Sequence, residues 1–202
     1  MKGSAIRFPA PVATRRPPGS RLLEAFSPKL SRRITLFDRA SFDLWTLLEA
    51  DPEVLAMCER PVLRAVDPTR PIDFWVQRQS HEEMLLVQRG DSAEASISTS
   101  SIPIKAVPLA ELAAHRMLID NWQGILPLIN ATRGLIPTKL KDSILRCVRG
   151  PAALGLIEHE LRVGDPSLVR GAIFDLLRIG RLRAPELRTT PLTMHTILEP
   201  SS

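Results

Sequence analysis

The stretch RPIDFWVQRQSHEEMLLVQRG, residues 70–90, contains two apolar runs separated by a polar segment. Its first run alternates apolar and polar side chains over residues 72–77, which is the pattern of a half-buried β-strand. The polar residues 77–83 predict a turn, and the apolar run that starts at Met84 predicts the returning strand. We therefore expect a β-hairpin at the centre of the fold.

A short amphipathic helix precedes this hairpin. The segment SFDLWTLLE, residues 41–49, places its leucines and Trp45 on one broad helical stripe. The helix is expected to end at Asp51, because a residue that precedes proline avoids the helical conformation. Helix and hairpin together predict an α/β (α+β) core.

The composition indicates a globular protein and argues against several functional classes. The chain has 202 residues and is 44% hydrophobic, which is enough to build one or two packed domains. It has no run of eighteen apolar residues and no apolar centre of a secretory signal, so we expect a soluble, cytoplasmic protein without a membrane partner. Its two cysteines and four histidines lack the spacing of a zinc site.

Charge is divided unevenly along the chain. Residues 1–33 hold eight Lys/Arg and one acid, residues 34–136 hold nine and fourteen, and residues 137–202 hold ten and seven. Lys/Arg contacts to phosphates supply most non-specific DNA binding, so a polyanion would favour the two ends. The acidic middle suits a basic protein partner.

Four segments can be distinguished by composition and periodicity. Residues 1–30 are rich in proline and arginine and predict a flexible basic arm, which either tracks phosphates or serves as a solubilising tail. Residues 31–108 contain the core, and residues 109–136 have a helical periodicity broken at Pro127, which predicts two helices that link two domains. Residues 137–202 form a second unit.

This second unit has the pattern of a winged helix-turn-helix domain. Helices are expected near residues 138–148 and 152–161, and a third over SLVRGAIFDLLRIG, with Asp165 as its start signal and Gly180 as its stop. The segment that follows the third helix alternates enough to form a β-wing.

Candidate DNA contacts come from the basic ends of the chain. Positive and aromatic side chains on an outward helix face suit contacts to phosphates and grooves. The alternatives are a solvated face without a ligand, or a surface that binds protein. The candidates are Arg15 and Arg16 in the arm, Arg170, Phe174 and Arg178 on the outward face of the third helix, and Arg181 and Arg183 after it.

The hairpin also has part of the chemistry of a metal-dependent nuclease. A restriction-endonuclease-like core holds Mg²⁺ between two carboxylates on neighbouring strands, with a lysine two residues past the second carboxylate. Asp73 would be the first carboxylate, but Val87 and Arg89 stand at the other two positions. Valine cannot bind a metal, and arginine stays protonated and cannot take a proton from water.

Four segments resemble the TnsA-like endonucleases of heteromeric DNA transposons. They are Leu47–Val54, Glu59–Val62, Pro71–Val76 and Asn121–Trp122, in this order. The resemblance covers about residues 31–136, and the basic tail also fits that family's layout. It implies a restriction-endonuclease-like PD-(D/E)xK core, a helical linker and a winged helix. It also implies a role in transposition, in which TnsA cuts the 5′ ends and a partner transposase makes the 3′ cuts and joins.

The chain departs from the family pattern at the site itself. Ser41 falls where the family has a helix glutamate, Val87 replaces the second carboxylate, and Arg89 replaces the lysine, so only Asp73 remains. The resemblance therefore implies a catalytically degenerate nuclease fold that binds DNA and a transposase-like partner. It needs no cofactor, or Mg²⁺ if an activity survives.

Other interpretations stay open on the sequence alone. Asp73 could be an exposed strand residue without a role. An active endonuclease would need a rearranged site that recruits Glu82 or Glu83, two residues that otherwise are solvated charges in the turn. A winged-helix transcriptional regulator would bind a palindromic site as a dimer. Whether the chain forms a homodimer is equally open.

Overall fold

The computed structural model divides the chain into two compact units. The described residues are 7–64, 70–90, 102–161 and 165–201. Unit 1 comprises residues 1–45 and 53–114, and unit 2 comprises residues 46–52 and 115–202. The predicted arm and core extend into residues 1–6, 65–69 and 91–101, which lie outside the described residues. The mixed α+β class is confirmed, since the described part contains six α-helices and three sheets.

Unit 1 is built from two sheets and two helices. Its elements are β1 (Leu23–Ser27), β2 (Arg32–Leu36), α1 (Arg39–Ala50), β3 (Val54–Glu59), β4 (Phe74–Arg78), β5 (Glu82–Gln88), β6 (Ile104–Pro108) and α2 (Leu109–Ala114). β1 and β2 form an antiparallel pair, and the larger sheet has the order β3-β4-β5-β6. Its first three strands are antiparallel, and β6 runs parallel to β5. The boundary with unit 2 falls within α1.

The predicted hairpin is confirmed as β4 and β5, with a shorter turn than expected. The Arg78 N–H donates to the carbonyl of His81 and closes the turn. Glu82 and Glu83 therefore lie on β5 and not in the turn. Their side chains have local partners, because Trp75 donates to Glu82 and Arg78 pairs with Glu83.

The prediction that β4 is half-buried is wrong. Phe74, Trp75 and Val76 are all buried, because this central strand is covered on both faces. The Trp75 ring packs in an apolar cluster, and Phe8 contacts it edge-on with ring centroids 5.4 Å apart. The other buried members of the cluster are Cys58, Ile72, Met84 and Ile102.

The predicted basic arm is shorter than residues 1–30. β1 begins at Leu23, where LEAFS pairs in register with RRITL of β2, so the expected boundary at residue 30 falls inside a hairpin. Residues 7–20 form no helix or strand, but the Val12 N–H donates to the carbonyl of Arg60 over 2.9 Å. The arm is therefore held at Phe8 and Val12, while Arg15 and Arg16 are exposed.

Unit 2 contains four helices and a small sheet. Its elements are α3 (Arg116–Thr132), α4 (Thr138–Cys147), β7 (Ala152–Ala153), α5 (Leu154–Glu160), α6 (Pro166–Arg178), β8 (Leu182–Arg183), a 3-10 helix (Pro185–Arg188) and β9 (Ile197–Pro200). The three strands are antiparallel and have the order β7-β9-β8. The helices predicted over 138–148, 152–161 and beyond Asp165 are present as α4, α5 and α6.

The end signals of α6 act as predicted. The Asp165 side chain caps the helix by accepting from the Ser167 N–H at 2.8 Å, and Pro166 occupies the first turn. Gly180 has a φ of 70°, a conformation that favours glycine just past a helix end.

The predicted linker differs from the structure in two ways. α3 continues through Pro127 without the expected break, because its buried residues Ile125, Leu126 and Ile129 hold both halves against the same core. The segment 109–136 is also not one linker, since α2 belongs to unit 1 and α3 to unit 2. In the described residues, no helix is long and apolar enough to cross a membrane.

Candidate functional site

Three elements of unit 1 converge on the carboxylate of Asp73. Asp73 directly precedes β4, Arg89 directly follows β5, and Ser41 lies in the first turn of α1. The structure thus brings together Asp73, Ser41, Val87 and Arg89, the four positions that the sequence singled out. A fifth residue, Asp38, joins them just before α1.

Both oxygens of the Asp73 carboxylate are occupied by donors from the protein. Oδ1 accepts from the Ser41 hydroxyl at 2.9 Å and from Nη2 of Arg89 at 2.6 Å. Oδ2 accepts from the Val87 backbone N–H at 2.8 Å and from Nη1 of Arg89 at 3.2 Å. Val87 therefore contributes its backbone where the family pattern places a second carboxylate side chain.

The Arg89 guanidinium lies where these oxygens converge. Its Nη2 is 2.6 Å from Asp73 Oδ1, 2.9 Å from Asp38 Oδ2 and 2.7 Å from Ser41 Oγ. Burial acts to lower the pKa of Arg89, but the hydrogen bonds and charges of Asp73 and Asp38 outweigh it, so the pKa lies above its ordinary value. A fixed positive charge therefore occupies the position between two carboxylates and a hydroxyl.

Solvent reaches the two partners of this ion pair unequally. The side chain of Asp73 is 9% exposed, whereas that of Arg89 is 40% exposed. A nearly buried carboxylate needs its charge compensated, and the bidentate fork of arginine compensates it with two hydrogen bonds. Arg89 therefore supplies the charge partner and two of the hydrogen bonds of the Asp73 carboxylate.

Asp38 is the member of the cluster that sequence reasoning missed. Its Oδ1 accepts from the Ser41 N–H at 2.8 Å, and its Oδ2 lies 3.0 Å from the Ser41 hydroxyl oxygen, as an alternative acceptor to Asp73 for the single hydroxyl hydrogen. This is the way in which an acidic residue at a helix start satisfies a free N–H of the first turn. An aspartate three residues before Ser41 was therefore a readable signal for the helix start, and it would have placed Asp38 beside the site.

The residues at this site do not fit a Mg²⁺ ion. That ion needs near-octahedral oxygen ligands, and here Asp73 has both oxygens engaged while Val87 offers no ligand. Within the described residues, no group of three or more His, Cys, Asp and Glu side chains could hold a metal. Glu82 and Glu83 do not repair the site, because Glu83, the nearer of them, lies four residues before Val87, about 13 Å along the strand.

Arg60 has a strained backbone conformation and contacts the backbone of Asp73. Arg60 has a φ of 47°, and its N–H donates to the carbonyl of Asp73 at 2.9 Å. Its guanidinium donates to the carbonyl of Thr35 and lies 4.9 Å from the ring centroid of Phe37. Burial lowers the pKa of Arg60, with Glu59 acting in the opposite direction. Arg60 thus fixes the backbone of Asp73, as Arg89 fixes its side chain.

The predicted outward face of α6 is wrong. Phe174 is 2% exposed and lies in the core of unit 2. Arg170 forms a two-pronged pair with Glu158, and Arg178 pairs with Asp175 at 2.7 Å. The physical reason is that α6 packs against α3, α4 and α5, which leaves it no broad free face.

The close packing of α6 is visible at Gly171. A Cβ atom built at this position would lie 2.2 Å from Oγ1 of Thr132 on α3, so only glycine allows the two helices to approach this closely. By contrast, Arg181 and Arg183 are exposed, and in the described part of the chain neither side chain has a hydrogen bond or ion pair. Of the candidates in unit 2, only these two present a free charge.

No protein-family model matches the chain, and no curated protein matches it. The TnsA-like resemblance therefore rests on the four quoted segments and on the residues that meet at Asp73.

Proposed function

We propose that this protein is a TnsA-like member of a DNA transposition or related mobile-element system, with a nuclease fold that no longer cuts. Its role is to bind DNA and a transposase-like partner. The observation that carries the proposal is Arg89, whose guanidinium lies between Asp73 and Asp38 at the place where a nuclease of this type needs a metal ion.

The topology of unit 1 supports the nuclease-fold part of the proposal. A helix, then three antiparallel strands, place Ser41, Asp73 and Arg89 around one point. These are the positions that the family uses for its helix glutamate, first carboxylate and lysine. A chance likeness in sequence would not require that these three side chains touch.

The order of elements in unit 2 supports a winged helix. The elements α4, β7, α5, α6, β8 and β9 follow one another along the chain. The three strands form an antiparallel sheet. Because α6 is covered by α3, this domain does not offer α6 as a helix that enters a groove. DNA contacts are assigned instead to the exposed Arg181 and Arg183, and to Arg15 and Arg16 in the arm.

The acidic middle of the chain supports a basic protein partner. Residues 34–136 hold fourteen acids against nine Lys/Arg. This excess of acids in the sequence disfavours DNA and favours a cationic protein partner, such as a DNA-binding transposase.

Cleavage of supercoiled plasmid by the purified protein tests the proposal. We expect no nicking with Mg²⁺ or Mn²⁺, because the Arg89 guanidinium already lies between the two carboxylates. Metal-dependent nicking that is lost in a folded Asp73→Ala variant would overturn the proposal in favour of an active endonuclease. Binding of a DNA duplex, measured over a series of salt concentrations, should show the linear dependence of log K on log salt that phosphate contacts produce.

A further inference from the structure

One face of α4 carries a row of exposed positive charges that the function proposed above does not use. Lys139, Ser143 and Arg146 are spaced i, i+4 and i+7 on α4, and Arg149 follows just past its end. We call these four residues the α4 basic face. Lys139, Arg146 and Arg149 are exposed, and Lys139 and Arg146 are about 10.5 Å apart along the helix axis.

The packing of α4 explains why this face is free. Ile144, on the opposite side of the helix, is fully buried. Lys141 also points away from the α4 basic face and pairs with Asp175 of α6. α4 is therefore held to unit 2 along one side, and its basic side is left to solvent.

The two arginines of this face are oriented by hydrogen bonds, and within the described residues neither of them nor Lys139 has an ion pair. The Arg146 guanidinium donates to the Ser143 hydroxyl at 2.9 Å, and that hydroxyl donates to the Lys139 carbonyl at 2.9 Å. Arg149 Nε donates to the Arg146 carbonyl at 3.2 Å. All these acceptors are uncharged, so the hydrogen bonds limit side-chain motion without cancelling charge.

Two nearby acids have partners outside the α4 basic face, although only Asp175 is paired with cations. Asp175 is shared by Lys141 and Arg178, and Glu160 accepts from the thiol of Cys147 at 2.8 Å. Burial and Glu160 raise the pKa of that thiol to about 11, so it stays protonated and keeps this hydrogen bond. The acid on α4 itself is Asp142, one negative charge against the three cations of the face.

We infer that the α4 basic face binds the phosphate backbone of duplex DNA. The inference deepens the proposed function and rests on it, because it adds a DNA contact surface in unit 2. Guanidinium and ammonium groups in a row of this length match phosphates on one strand, since each strand presents a phosphate about every 3.4 Å along the duplex axis. Such contacts position a protein on DNA without reading its sequence.

The test is the salt dependence of duplex binding by the full chain, with a triple variant Lys139→Gln, Arg146→Gln, Arg149→Gln. Each lost phosphate contact lowers the slope of log K against log salt by about 0.9, so the triple variant should lose about 2.7 from the slope. The matched control is Arg39→Gln, Lys105→Gln, Arg116→Gln, which removes the same charge from cations that pair with acids. Its slope should stay close to that of the wild type.

The outcomes separate this inference from the proposed function. If the wild type binds duplex DNA and the α4 triple variant keeps the wild-type slope, the α4 basic face is not a DNA contact, while DNA binding by the protein stands. Equal losses in both triple variants would also reject it, because they would report total charge and not a contact. If the wild type shows no salt-dependent DNA binding, both the α4 inference and the DNA-binding part of the proposed function are rejected. Circular dichroism of each variant confirms that the exposed substitutions leave the fold intact.

Discussion

Arg89 in unit 1 and the arginines of α6 in unit 2 lie in different elements, but all of them form ion pairs with carboxylates of the same chain. Arg89 pairs with Asp73 and Asp38, whereas Arg170 and Arg178, which were expected to face DNA, pair with Glu158 and Asp175. Arg181 and Arg183, which have no ion pair in the described part of the chain, lie after the end of α6. The lesson is that a cation becomes available for a ligand only when no carboxylate of its own chain reaches it.

The largest effect is expected from breaking the Asp73 cluster. Asp73→Ala leaves Arg89 without its main partner and the Val87 N–H without an acceptor. We expect the free energy of unfolding to fall by about 2–3 kcal/mol, below the full cost of a broken buried pair because Arg89 is partly exposed to water. Urea unfolding followed by tryptophan fluorescence measures it.

A matched control is Asp120→Ala, which removes the carboxylate of an exposed i, i+4 pair with Arg116. It should cost about 0.3–0.5 kcal/mol. Equal losses in the two variants would show that the cluster at Asp73 stabilises the fold no more than a surface ion pair does. Arg89 would then not be held more firmly than an exposed arginine.

An intermediate effect is expected at Asp175, and it depends on pH. Burial acts to raise the pKa of Asp175, but the hydrogen bonds from Lys141 and Arg178 outweigh it and lower the pKa below the ordinary 3.8. A carboxyl with a lowered pKa stabilises the fold above the pKa of the unfolded chain, and this stability is lost as the pH falls through the folded-state pKa. Asp175→Asn should therefore be less stable than the wild type at neutral pH by about 1–2 kcal/mol.

The difference between wild type and Asp175→Asn should shrink as the pH falls below 3.8. Urea unfolding at several pH values between about 6 and about 2.5 measures it. A difference in the free energy of unfolding that stays constant over this range would mean that the charge of Asp175 does not stabilise unit 2. The ion pair between Arg178 and Asp175 would then contribute nothing to stability.

The smallest effect on stability is expected at a free cation. Arg183→Gln should change the free energy of unfolding by less than about 0.5 kcal/mol, because the side chain is exposed and unpaired in the described structure. It should lower the slope of log K for DNA against log salt by about 0.9. Arg170→Gln is the paired counterpart. It should leave that slope unchanged, and a lower slope in Arg170→Gln would show that pairing with Glu158 does not withhold an arginine from DNA.

Local elements were predictable where short-range chemistry decides them. The β4–β5 hairpin, α1 and the cap and stop of α6 follow from alternation, from Pro52, and from Asp165 and Gly180. The turn of the hairpin and the extent of the arm were misjudged, because Glu82, Glu83 and Leu23 are recruited into strands by cross-strand partners that a local pattern does not contain.

The mixed α+β class and the residues that meet at Asp73 could be predicted from the sequence alone. The strand period of two and the resemblance in spacing predict that Asp73, Val87 and Arg89 belong to one site. The sequence also determined that Val87 offers no metal ligand, since this follows from the side chain alone.

Which charged side chains form ion pairs and which stay unpaired depends on tertiary packing. Helical periodicity gives the faces of α6 but not the number of elements that cover them, so Phe174 was placed outside although α3, α4 and α5 pack around its helix. Asp38 reaches Arg89 across 51 residues of sequence, a contact that exists only after α1 packs beside the hairpin. Burial and ion pairing depend on neighbours that are distant along the chain, and folding alone brings those neighbours together.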